Sequence, residues 1–225
     1  MPKLAMSQYA RVYDPLRWVW GVLGLRKAPK MSLKFSPKLD KIVELLLYLA
    51  HKRPGADKYQ AVKFFYLADR EHFVRYGRPI TFEDYYALWY GPVASNTLDL
   101  LNQNRSTMER AGLQSLPFEI EIGAVKSKSG KETETTFIRK PLRDVKIDLF
   151  SKSDLEVFDE VIGKYGNATF DELFDATHNH FAYLNAWEHR RQGDRAVMFY
   201  EEMVDDPARR AELVEDISPI AAHMK

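Results

Sequence analysis

The chain has 225 residues, of which 45% are hydrophobic and 29% charged, and its net charge is +1. That composition suits one well-buried core, alone or with a small appendage, and provides no global basic field to attract nucleic acid or anionic membrane. With no cysteine, disulfides, thiolate zinc sites and cysteine nucleophiles are excluded, and a reducing, cytoplasmic setting is the expectation.

Residues 1–30 differ from the rest. Lys3, Arg11, Arg17, Arg26, Lys27 and Lys30 face only Asp14, and Trp18 and Trp20 stand close together. No stretch reaches the roughly 20 apolar residues of a membrane helix; the nearest candidate, Leu16 to Leu25, is short and contains Arg17 and two glycines. Met31-Ser32 then opens a segment that would serve as a natural protein start. The first thirty residues therefore read as an upstream extension, as a docking arm, or as a membrane-surface anchor. Residues 1–34 are treated as this extension or arm.

Ser36 and Pro37 predict a helix start. Leu39, Ile42, Val43, Leu46, Leu49 and Ala50 follow at helical spacing up to Arg53-Pro54-Gly55. Asp57 and Gln60 form a capping box for a second helix, with Gly77 placed as its terminating glycine. The segment Ile80 to Trp89 is rich in Tyr and Trp and reads as extended structure closed by Gly91-Pro92. Ser95 can cap a helix carrying Leu98, Leu100, Leu101 and Met108 and ending at Gly112.

The period then changes. Phe118-Glu119-Ile120-Glu121-Ile122 alternates as a half-buried strand does, and Thr135 to Ile138 is its expected partner across a polar tip containing Gly130. Such a hairpin needs a third strand or helix packing, which Ile80 to Trp89 could supply. Ser153 to Glu156 and Thr169 to Glu172 read as capping boxes of two further helices, the first ending at Gly166. A third helical piece carries Phe181, Leu184 and Trp187. Residues 201–225 form an acidic tail with a short helix from Pro207 to about Asp216; between Glu201 and Asp216 seven acidic side chains oppose Arg209 and Arg210. The fold class is α+β, predominantly helical, with a small antiparallel sheet.

Chemistry-bearing patterns are sparse. GxSxG, P-loop and GxGxxG motifs are all missing. His178 and His180 lack the dense carboxylate company of a metal site, so a structural role outweighs a ligand role. Asp69 and His72, one turn apart, could act as an acid/base pair but read more simply as a charged helix face. His189, Arg190, Arg191 and Arg195 read as a solvated basic helix end. No catalytic residue, metal or cofactor is assigned. Tyr85, Tyr86, Trp89 and Tyr90 form an aromatic cluster whose exposed members would anchor a protein partner, since Tyr and Trp are preferred at interfaces. Base stacking is the weaker use, because only Arg70, Arg75 and Arg78 lie nearby.

Lys63 to Asp69 (including Tyr66), Gly77-Arg78-Pro79-Ile80, Tyr86-Ala87 and Tyr90-Gly91-Pro92-Val93 occur in the order and spacing of the Panacea domain. Together with Thr177-His178 and Trp187 they make the chain resemble this SocA-like, phage-associated antitoxin family from Phe35 to Ala196. The resemblance implies a mostly helical antitoxin domain, set at residues 35–200, that binds and neutralises a toxin encoded beside it. It also implies that toxins of unrelated kinds, alarmone-synthetase-like ones among them, serve as partners, and that no residue is catalytic. Within it Tyr66, Gly77, Pro79, Ile80, Gly91, Pro92, Val93, His178 and Trp187 would be structural. Partner-binding residues would be Trp18, Trp20, Tyr85, Tyr86, Trp89 and Tyr90. The alternatives are a proteolytic adaptor, a DNA-binding autoregulator and, further off, a metal hydrolase at His178 and His180. The sequence fixes neither the toxin nor the oligomeric state.

Overall fold

The structure, a computed structural model, describes residues 33, 35–126, 132–190 and 193–221. The chain divides into Met1–Ser32 and Leu33–Lys225. Trp18 and Trp20 of the expected arm, the hairpin tip with Gly130, and Arg191 of the basic cluster lie outside the described residues.

The described residues form eight α-helices and five strands in two small antiparallel sheets, an α+β fold dominated by helix. Helix α1, Leu39–Lys52, is buried without interruption from Ile42 to Ala50, and the one charge in that run, Glu44, is paired with Arg143. It starts two residues later than Ser36-Pro37 predicted. The reason is tertiary: the Lys38 amide donates to the Thr81 carbonyl, 3.0 Å, and Lys38, outside helical geometry, becomes the N-cap.

Helix α2, Lys58–Tyr76, begins with the predicted Asp57–Gln60 capping box and ends at Gly77, which is left-handed at φ 72°. Strands β1, Tyr85–Leu88, and β2, Gly91–Ala94, form a hairpin with Trp89 and Tyr90 in its turn. Residues beyond Gly91 thus continue the sheet rather than closing it. Strand β5, Ala196–Val197, which no sequence pattern announced, pairs with the other side of β1. The helix expected from Ser95 to Gly112 is two helices, α3, Ser95–Leu101, and α4, Arg105–Arg110. Gln103 between them is left-handed at φ 53°, and Asn104 caps α4 by accepting from Thr107 N.

Strands β3, Phe118–Lys126, and β4, Glu132–Pro141, form the predicted hairpin, with Ile120 opposite Ile138 and Ile122 opposite Thr136. The segment Ile80–Trp89 does not join it, because β1 belongs to the separate sheet β2-β1-β5. Instead, β4 is held by backbone bonds from Gly55 N to Ile138 O, 2.7 Å, and from Ile138 N to Ala56 O, 2.8 Å. Phe118 is buried and Ile120 half-buried, but Ile122 is exposed where β3 runs past the body.

Helix α5, Lys152–Tyr165, is capped by the reciprocal pair Ser151 and Asp154, not by Ser153 and Glu156. Ser153 is engaged elsewhere, its Oγ 3.1 Å from Nε2 of His72. The Thr169–Glu172 box starts α6, Phe170–His178, as predicted, and α7, Phe181–Glu188, follows. Helix α8, Pro207–Ala221, is longer than the sequence suggested. Of the residues in the acidic segment, Met203, Val204, Leu213 and Ile217 are buried in the same core as α1 and α2.

Candidate partner-binding surface

Three titratable residues on α2 are buried: Lys63, Asp69 and His72. A buried charge persists only when its hydrogen-bonding capacity is met, and here the partners are the two bends that follow the helix. Asp69 serves the first bend. Its carboxylate accepts from the amides of Ile80 and Thr81, each at 2.9 Å, and from Thr81 Oγ1, 2.5 Å. The Tyr85 hydroxyl lies 2.9 Å from the same carboxylate. Nδ1 of His72 bonds the Arg78 carbonyl, 2.8 Å. The Asp69–His72 pair is therefore neither a solvated charged face nor an accessible acid/base pair; both side chains brace the Gly-Arg-Pro-Ile turn from inside.

Lys63 serves the second bend. Its ammonium donates to the carbonyls of Tyr90, 2.5 Å, and Pro92, 2.8 Å, and sits 5.0 Å from the centre of the Tyr59 ring. Burial drives its pKa well below the usual lysine range. Gly91 lies between the two carbonyls at φ 91°. A Cβ there would stand 2.6 Å from Cε1 of His178 and 2.7 Å from Nζ of Lys63. The glycine is demanded by both backbone conformation and space.

A third buried charge, Glu83, joins the two bends to α3. It accepts from the amides of Asn96 and Thr97 and from the Thr97 hydroxyl, between 2.9 and 3.0 Å. Burial pushes this carboxyl up to about 7, against the hydrogen bonds from Asn96, Thr97 and Asp84. His178 and His180 are both lowered to about 4, chiefly by burial. Nδ1 of His178 is 2.7 Å from the Phe174 carbonyl, so it carries the proton of the neutral ring. His180 meets the Tyr66 hydroxyl through Nδ1, 3.1 Å. Among the described residues no group of three or more His, Cys, Asp or Glu could hold a metal ion.

This scaffold holds an aromatic ridge at the surface. Trp89 is 66% exposed and Tyr90 57%, at the tip of the β1–β2 hairpin. Trp89 meets the buried Trp187 edge-on at 5.9 Å, and Tyr90 meets Phe170 edge-on at 5.9 Å. Phe170 is itself 47% exposed and stacks on Tyr59 at 4.4 Å. The Arg195 guanidinium lies 3.4 Å from the centre of the Tyr86 ring, and that of Arg190 lies 3.9 Å from Trp187. Rigid aromatic rings on a braced turn, edged by cations, are what a protein partner can grip at small entropic cost.

A sequence model of the family described as "Antitoxin SocA-like, Panacea domain" matches residues 62–183, more than half of the chain. The chain belongs to this antitoxin family. No curated protein and no solved structure matches it. The matched stretch of the Panacea domain runs from α2, with Lys63 and Asp69, to α7, where the Tyr183 hydroxyl donates to the Leu88 carbonyl, 3.0 Å.

Of the expected partner-binding residues in the Panacea domain, Trp89 and Tyr90 are open to solvent and Tyr86 is half-buried beneath Arg195. Tyr85 is 2% exposed, with its hydroxyl between Asp69 and the Phe65 carbonyl, so it is a core residue that no partner can reach. Alternation along β1 turns Tyr85 and Ala87 inward and Tyr86 outward. Tyr66, Ile80 and Trp187 are buried. Sequence reasoning missed Phe170, Lys63 and Glu83. A lysine set between Val62 and Phe64 is a detectable signal, because a cation inside an apolar run must have a partner inside the protein.

Proposed function

We propose that this chain is the antitoxin of a toxin–antitoxin pair of the phage-associated kind, acting in the cytoplasm without catalysis. It neutralises a toxin encoded beside it by direct masking. Trp89 and Tyr90, joined by Phe170, are the central anchors, and the segment with Trp18 and Trp20 is a second contact. The single observation that carries this reading is the exposed Trp89–Tyr90 tip, braced from within by Lys63 in a chain of antitoxin family. Gly77, Pro79, Gly91, Pro92 and Val93, with His178 and Trp187, are the scaffold that presents it.

The test is co-expression with the neighbouring reading frame, with a tag on this chain. Masking predicts that the neighbour is toxic alone, harmless together, and recovered in a complex. The double variant W89A/Y90A should fold normally and weaken the complex at least tenfold, as loss of central aromatic anchors does. A complex of unchanged affinity would remove the ridge from the interface. Rescue that disappears in a protease-deficient host, with no stable complex, would favour delivery of the toxin to a protease.

A further inference from the structure

Strand β3 pairs with β4 along one edge only. Among the described residues, no strand and no backbone hydrogen bond engages the other edge of residues 119–126. Every second residue of an antiparallel strand turns its N–H and C=O to the side away from its partner, so this edge presents a row of unpaired groups. Folded proteins usually blunt such an edge with a bulge, a proline or a charge at its centre. Here the register irregularity falls between Phe118 and Ile120, and the centre is Ile122, 70% exposed and the most exposed of the large apolar residues described.

We infer that the open edge of β3 pairs with the same edge of a second copy, antiparallel, about a two-fold axis at Ile122. Two-fold pairing of identical strands requires a residue to stand opposite itself, because alternation must place both side chains on one face. Centred on Glu121, two glutamates would face each other; centred on Ile120, Glu119 would face Glu121. Either costs energy through like-charge opposition. Centred on Ile122, Glu121 faces Gly123 and Glu119 faces Val125, so no carboxylates oppose. Ile120 then faces Ala124, and Ile122 faces Ile122 of the other copy on the same side of the sheet. Registers centred on Gly123 or Ala124 also oppose no carboxylates, but they set Ile122 against Ala124 or Lys126, so Ile122 at the axis is the register that both keeps the glutamates apart and pairs the exposed isoleucines. Glu121 is also tied to Arg139 of β4, 2.8 Å, which keeps its charge off the shared edge. The result is a four-stranded sheet, β4-β3-β3-β4, across two copies.

The chain has no cysteine of its own, so single cysteines report the register directly. Full-length I122C, oxidised mildly, should form a disulfide-linked dimer, because residues directly opposite in such a pair have Cβ atoms about 4.5–5.5 Å apart and lie within disulfide reach. E119C should not, since the two copies of that position would be about 20 Å apart. Sedimentation of the wild type should show a concentration-dependent dimer, and I122K and I122E should each be monomeric with unchanged circular dichroism and thermal midpoint. Mixing I122K with I122E should restore a dimer. The inference is overturned if the wild type stays monomeric up to its solubility limit, or if I122K still dimerises. It is equally overturned if E119C links as readily as I122C, or if I122K loses only toxin binding while the wild type alone is a monomer. That last outcome would assign the edge to a strand of the toxin.

Discussion

Individual buried charges decide the shape of the candidate surface. Lys63 holds two carbonyls and Asp69 holds two amides, so one helix carries a donor for one bend and an acceptor for the other. Gly91→Val should abolish folding together with partner binding: a left-handed φ of 91° and the 2.6 Å approach to His178 leave a branched side chain no room. A variant that keeps its thermal midpoint yet fails to bind would contradict this. Glu83→Gln replaces an acceptor with a donor where Asn96 and Thr97 already donate, and should cost about 2 kcal/mol in urea unfolding. His178 and His180 should titrate near 4 by side-chain NMR of the folded protein. Both values are depressed from 6.5, so the unfolded chain binds the extra protons. Their contribution to stability is therefore complete above 6.5 and is lost as pH falls towards about 4.

At the level of elements, Asp154 is the clamp. Lying at the start of α5, it receives Lys41 of α1 at 2.9 Å, Arg78 from the bend after α2 at 2.7 Å, and His72 of α2 at 3.1 Å. Burial opposes its ionisation, but the hydrogen bonds from His72 and Lys41 and the charges of Lys41 and Arg78 prevail and hold it well below the usual carboxylate range. Its stabilising contribution is complete above about pH 4 and fades as pH falls through the folded value. Asp154→Asn should cost about 1–3 kcal/mol near neutral pH, read as a shift of the urea midpoint, because the partly exposed Lys41 and Arg78 lose the charged partner of their hydrogen bonds. The difference from wild type should shrink in acid. Patterning and capping made most helices legible: the Asp57 and Thr169 boxes were readable from spacing alone. Ser151 was not, because only the fold commits Ser153 to His72.

At the scale of the whole molecule, one continuous core links α1 and α2 to the segment beyond Tyr200. The Tyr200 hydroxyl donates to the Glu83 carbonyl at 2.8 Å, and Leu213 and Ile217 of α8 are buried. Truncation after Tyr200 would remove Met203, Val204, Leu213 and Ile217, each worth about 1.5–3 kcal/mol when fully buried, and uncover the core they pack against. The shortened chain should therefore be insoluble or lose its cooperative thermal transition, and one that melts like the full chain would make this segment dispensable. Among the described residues no helix is long and apolar enough to cross a membrane.

The sequence by itself determined the helical character, the β3–β4 pairing and the two glycine-marked bends. Those follow from local periodicity, capping chemistry and the conformational freedom of glycine, which neighbouring residues settle among themselves. It also carried the family, through the motifs around Lys63, Gly77 and Gly91. Only the tertiary structure decided which aromatics face solvent, because Tyr85 and Tyr86 are alike in chemistry and adjacent in sequence and differ only in the side of β1 they occupy. Likewise β5 has two residues, too few for any period to register, and it exists because β1 offers an edge. The buried charges of α2 looked like a surface face until the bends folded back on them, since a charge's place inside a protein is set by partners distant in sequence.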